Sequence, residues 1–152
     1  MSICKHQLRD LITRTLKRVP KFYSEEAVTL LMMTCAAESD LGTYLVQNGG
    51  PAKGIMQVEP ATMKGNYGNY LYFRDKLKDA IYFACGVLKP DDDALEYNFA
   101  FNILMARLKY YRDSEPIPHD LEGMAHYHER VYNAGGAAHA ETTLAKYHHF
   151  CG

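Results

Sequence analysis

A single carboxylate sets the first question. Glu38 stands at the end of "CAAES", after Cys35, Ala36 and Ala37, and no nearby residue in the chain pairs with it. Ala27, Leu31, Thr34, Cys35 and Glu38 fall at i, i+4, i+7, i+8 and i+11, one stripe of a helix. That spacing delivers Glu38 toward an interior or a cleft. Desolvation there raises the pKa of a carboxyl group and keeps a proton available near neutral pH, which is what a general acid needs. An exposed last helical turn, where Glu is common, is the other reading of the same residues and stays open at this point.

Further groups with chemical capacity follow at fixed intervals. Ser39 adjoins the acid, with a hydroxyl that either fixes the Glu38 rotamer or finishes the helix end. Sixteen residues beyond Glu38 begins Gly54-Ile55-Met56-Gln57. There Gly54 admits a close backbone approach, Met56 offers a pliable apolar surface and Gln57 both donates and accepts. Glu59 is a second carboxylate, either a partner in the chemistry or a first-turn charge before Pro60. Much later come Tyr132 and Asn133, a phenol and an amide that either reach the acid or hold a turn.

The elements that must position these groups read as helices. Leu8, Leu11, Ile12 and Leu16 give residues 3–18 an apolar face, and Pro20 stops it. Ser24 followed by Glu25 and Glu26 caps a second helix, expected to run to Leu41 with Gly42 as its end signal. Gly49, Gly50, Pro51 and Gly54 make residues 43–59 a loop or short hairpin, with an extended piece over 55–58. Pro60 opens a short helix, "PATMK". A helix is expected over 75–88. A long, nearly all-apolar one follows over 94–112, with Asp91, Asp92 and Asp93 at its head, which makes it the central helix. After the break at "SEPIPHD", helices over 121–132 and 138–150 flank "NAGG".

The order Glu38-Ser39, Gly54-Ile55-Met56-Gln57, Tyr132-Asn133-Ala134-Gly135 resembles the motif set of the lytic transglycosylases of the soluble-transglycosylase fold, relatives of goose-type lysozyme. The likeness covers residues 24–65 and 125–136. It departs at Val131, where the family usually has Ala, and at Gly136, where Pro is frequent. The resemblance implies a mainly α, single lysozyme-like domain over residues 1–152, with a central buried helix and a small loop or hairpin element. It implies cleavage of the MurNAc–GlcNAc β-1,4 bond of peptidoglycan. Glu38 would be acid and base, and Ser39, Gly54, Met56, Gln57, Tyr132 and Asn133 would support or bind the glycan. In this family the sugar's own C6 hydroxyl is the nucleophile, so one protein carboxylate suffices and the product carries a 1,6-anhydro end. Goose-type lysozymes have an Asp where Glu59 stands, so hydrolysis assisted by Glu59 is the alternative within the class. A non-catalytic virion or wall-binding module is the alternative outside it.

Composition bounds the partners. The chain has 152 residues, enough for one domain with a core, and its apolar share of 47% suits a globular protein. A net charge of −1 gives no footprint for nucleic acid or an anionic membrane, and no tract reaches the length of a membrane span. "MSICKHQLRD" lacks the apolar segment of a secretory leader. With the resemblance, that leads us to expect a phage protein, held in a virion among other virion proteins or made in the host cytoplasm before it meets the wall. Cys4, Cys35, Cys85 and Cys151 show no C-x-x-C spacing and are expected as free, buried thiols. No cofactor is implied. Of the seven histidines, which include His119 and His139, "HYH" (His126, His128) and "HH" (His148, His149) suggest metal binding, but i and i+2 on a helix face different ways, and no Cys or carboxylate completes a familiar zinc spacing. The expectation is therefore no metal.

Overall fold

The computed structural model describes residues 1–134 and 139–152. Gly135 of the third motif, Gly136 after it, and Ala138, the expected start of the last helix, lie outside them. Among the described residues the chain is mainly helical, with eight α-helices and no strand.

Helix α1 (Lys5–Lys17) buries Leu8, Ile12, Thr15 and Leu16, as its pattern requires. Helix α2 (Glu25–Ser39) begins where Ser24 Oγ accepts the Ala27 N–H at 3.0 Å. Its burial is wider than the stripe suggested. Every residue from Leu30 to Ala36 is buried, because α1, α6 and α8 all pack against it. The helix ends at Ser39, two residues short of the expected Leu41. Asp40, Leu41 and Gly42 are all left-handed (φ 50°, 53° and 79°), so the turn begins before the glycine.

The segment that follows is a loop held by scattered backbone pairs. Gln47 N–H donates to Ala52 O (2.9 Å), and Lys53 and Val58 exchange both bonds (2.9 and 3.0 Å). The piece expected to be extended, Ile55 to Val58, is instead part of a tight turn closed by that Lys53–Val58 pair. Gly54 and Gln57 both have positive φ, which an extended strand excludes. Helix α3 (Pro60–Gly65) runs into a π-helical turn, Asn66–Tyr70, and a 3-10 turn, Leu71–Phe73. Helix α4 (Asp75–Cys85) stops at left-handed Gly86, short of the expected Leu88.

The expected long central helix is two helices, α5 (Asp92–Tyr97) and α6 (Phe99–Tyr111), broken at Asn98. Asn98 Oδ1 accepts the Phe101 N–H at 3.0 Å and caps α6, while its Nδ2 donates to Cys85 O at 3.0 Å. Helix α6 is central as expected: Phe101 to Leu108 are all buried. Helix α7 (Leu121–Tyr127), capped by Asp120, passes into a second π-helical turn, His128–Tyr132, where a plain helix was expected. Helix α8 (Ala140–Cys151) lies on α2 and α7.

All four cysteines are free, but they are not all buried. Cys35 lies in the core, where burial pushes its thiol up to about 12, whereas Cys4 is exposed at the head of α1. Backbone N–H groups of Gln7 and His6 hold the Cys4 thiol below its usual value. Since the thiolate is the reactive form, iodoacetamide at neutral pH should label Cys4 first and Cys35 only after denaturation. Peptide mass spectrometry reads this directly, and early modification of Cys35 would contradict the packing of α2.

Candidate functional site

Because α2 is buried from Leu30 to Ala36, its last turn is carried to the wall of a cleft of about 300 Å³. Glu38 reaches that cleft with its side chain 16% exposed. Gln57, Glu59, Lys109, Tyr132 and Asn133 line the same space. Three segments far apart in sequence therefore meet: the end of α2, the Gly54 turn with the start of α3, and the end of the second π-helical turn.

Glu38 Oε2 is held from two sides, by His128 Nε2 at 2.9 Å and by Asn133 Nδ2 at 3.3 Å. Ser39 does not touch the acid. Its hydroxyl is fully buried, donates to Ile55 O (2.6 Å) and accepts the Gly42 N–H (2.8 Å), so it ties the helix end to the Gly54 turn. Asp40, the neighbouring carboxylate, is engaged by Lys146 Nζ of α8 at 2.8 Å.

The second motif is built around a residue that sequence reasoning missed. Asn102, buried in α6, accepts the Met56 N–H (2.8 Å) and donates to Lys53 O and Leu95 O (2.9 Å each). Gly54 is needed here because a Cβ would strike the Asn102 amide and come within 2.6 Å of Leu95 O. The close approach that the glycine permits is thus to α5 and α6. Met56 is likewise corrected: its side chain is wholly buried and offers the cleft no surface, while its carbonyl accepts the Tyr132 hydroxyl at 2.6 Å. Gln57 does line the cleft, with Nε2 donating to Gly54 O at 2.9 Å. Glu59 precedes α3 but makes no side-chain cap bond, and its carboxylate borders the cleft.

Compared with protein-family models, with characterised proteins and with solved structures, the chain matches none. The site must be read from its own geometry.

Tyr132 was expected to bring its hydroxyl to the acid or the reacting sugar, or else to hold a turn. Its phenol instead points away to Met56 O, and its ring stacks between Tyr110 (5.1 Å) and His128 (5.6 Å). Burial, with Glu38 nearby, pushes this phenol well above its usual range, so it stays a neutral donor. Lys109 of α6 was not expected at all. Its Nζ donates to Tyr132 O at 2.8 Å and lies over the Tyr132 ring at 4.7 Å. Burial pulls this ammonium below its usual value, and the charges of Glu59 and Glu38 oppose that pull. One cation therefore lines the same cleft as both carboxylates.

The histidines divide. His128 is fully buried against Glu38, and His126, two residues earlier, is exposed. Among the described residues no group of three or more His, Cys, Asp and Glu side chains is placed to hold a metal ion. His126, Glu129, Arg130 and Asn133 border a wider depression of about 580 Å³, which shares Asn133 with the cleft. None of the helices described is long and apolar enough to cross a membrane.

Proposed function

We propose that this chain is a lysozyme-like domain that cleaves the β-1,4 bond between MurNAc and GlcNAc in peptidoglycan by a lytic transglycosylase mechanism. The observation that carries the reading is the Glu38 carboxylate. It ends a buried helix, opens on a cleft, and has one oxygen fixed by His128 and Asn133 while the other has no protein partner among the described residues. In the proposed reaction that free oxygen, Oε1, gives its proton to the glycosidic oxygen as positive charge builds on the sugar. The C1–O bond breaks with its electron pair on the leaving oxygen. The C6 hydroxyl of the same sugar then attacks C1 and returns its proton to Oε1, closing the 1,6-anhydro ring with no water consumed. Gln57 and Asn133 supply amides for the acetamido and hydroxyl groups of the glycan. The neighbouring depression at Asn133 gives length for further sugar units. Solubilisation of purified sacculi by the protein, measured as loss of turbidity, tests the activity. A protein that binds sacculi but releases nothing would instead be a wall-binding module.

One observation favours a second reading. Glu59 caps nothing and borders the cleft, as a carboxylate activating water would. Against it stands Lys109, a half-buried cation that lines the same cleft as Glu59 and so offers that carboxylate an opposite charge there. Glu59→Gln should therefore still release products with 1,6-anhydro ends, at a rate within about tenfold of wild type on the scale of a lost supporting interaction. Products with free reducing ends that disappear in Glu59→Gln would establish the goose-type hydrolytic reading.

A further inference from the structure

We infer that His128 is the positioning residue of Glu38: through the proton on Nε2 it holds Oε2 and so selects Oε1 as the oxygen that faces substrate. The inference deepens the proposed reading of the cleft and rests on it for its kinetic consequence, but the pairing itself does not.

The imidazole is fixed on every side. His128 is fully buried, its ring stacks on Tyr132 at 20° between planes, and Nδ1 lies 3.4 Å from the buried hydroxyl of Thr143 in α8. Nε2 is left pointing at Glu38 Oε2, 2.9 Å away. The tautomer follows from what the neighbours can donate. Asn133 Nδ2 already donates to Oε2, and with the Glu38 proton on Oε1, as the proposed reaction has it, the bond between Oε2 and Nε2 takes its proton from Nε2. Thr143 Oγ1 can then donate to Nδ1.

The backbone explains why two donors reach one oxygen. His128 and Asn133 are five residues apart, and on an α-helix side chains at that interval diverge by roughly 140°. Here the Asn133 N–H bonds to His128 O at 3.0 Å, an i to i+5 bond that closes the π-helical turn. The wider turn brings the two positions to the same side, and such turns are frequent at functional sites. Without it, His128 would face Glu38 and Asn133 would not.

The consequence for the chemistry is directional. With Oε2 doubly held, the transferable proton sits on Oε1, toward the cleft. As that proton leaves, negative charge develops on the carboxylate and both bonds to Oε2 become charge-assisted, about twice as strong as neutral ones. Bonds that strengthen only as the reaction proceeds lower the barrier without tightening the ground state.

Two substitutions separate positioning from packing. His128→Gln carries an amide nitrogen near the place of Nε2, whereas His128→Leu fills space and donates nothing. On soluble glycan strands His128→Leu should lose about a hundredfold in kcat, the cost of a misplaced catalytic group, with KM within about twofold. His128→Gln should restore most of the rate. Equal losses in both variants, or a wild-type kcat in His128→Leu, would overturn the inference. If the wild type cleaves no glycan, the proposed function fails, and the pairing is judged by nitrogen NMR of the imidazole in the free protein. The expected spectrum has the proton on Nε2 and a resonance that moves in Glu38→Gln. A proton on Nδ1 alone, or a resonance indifferent to Glu38→Gln, refutes the pairing whatever the activity.

Discussion

Glu38→Gln is expected to abolish the release of soluble muropeptides from sacculi while shifting the thermal midpoint by no more than about 3 °C. Positioned general acids contribute about 10²–10⁴-fold, and in the proposed mechanism the same group acts twice, as acid and then as base. The amide keeps the shape of the carboxylate but transfers no proton. It also keeps the native contacts: its carbonyl oxygen accepts from His128 Nε2 and Asn133 Nδ2 as Oε2 does, and its NH₂ takes the place of Oε1 toward the cleft. No buried group is left without a partner, so the change in stability should stay below about 1 kcal/mol, which in a domain of this size is roughly 2–4 °C. A variant that loses activity only because it unfolds would show a far larger drop. Digestion at the wild-type rate would remove Glu38 from the mechanism.

The largest effect on stability is expected from Gly54→Ala, a loss of about 3 kcal/mol. Two costs combine. At φ +79° an L-residue is strained by roughly 1–2 kcal/mol, and forcing a methyl into a packed space adds roughly 1–3 kcal/mol. The methyl meets the Asn102 amide and, at 2.6 Å, the carbonyl of Leu95, neither of which is a free end able to swing aside. Asn102 cannot retreat without breaking its bonds to Met56 N–H, Lys53 O and Leu95 O. The midpoint should fall by roughly 10 °C. Gly49→Ala is the control, since Gly49 has the same left-handed backbone (φ +75°) but nothing near its Cβ position, so only the strain remains. Equal drops in the two variants would show that the contact with Asn102 contributes nothing. Because Met56 O holds the Tyr132 hydroxyl, the larger shift in Gly54→Ala should reach the cleft as well.

What could be read from the sequence was mainly local. Apolar spacing located α1 and α2, and Ser24 marked the start of α2, because helix faces and caps are decided within a few residues. The break at Asn98 was hidden, since Tyr97 and Phe99 continue the apolar run and the cap depends on Cys85 O in another helix. The early end of α2 was hidden too, because neither the left-handed Asp40 and Leu41 nor the tie from Ser39 to Ile55 O, sixteen residues on, is marked in the local sequence. The same division holds at the site. The residue types marked Glu38, Gln57, Glu59 and Asn133, and all four border the cleft. Ser39, Gly54 and Met56 stand in the same motifs but serve the frame. Nothing in a linear motif separates a side chain that faces a cleft from one that faces α6. His128, Lys109 and Asn102 went unassigned because their partners lie across the fold; His128 and Glu38 are 90 residues apart. A signal for His128 existed in its i to i+4 relation to Tyr132, and one for Asn102 in its being the lone amide within an apolar helix.

The central claim, that Glu38 cleaves the glycan by internal transglycosylation, is tested most directly by the mass of what the protein releases. Purified sacculi digested with wild type should yield muropeptides lighter by one water than the products of a hydrolysing muramidase, and Glu38→Gln should yield none. Products at the full hydrolytic mass, or the same release from Glu38→Gln, would contradict it.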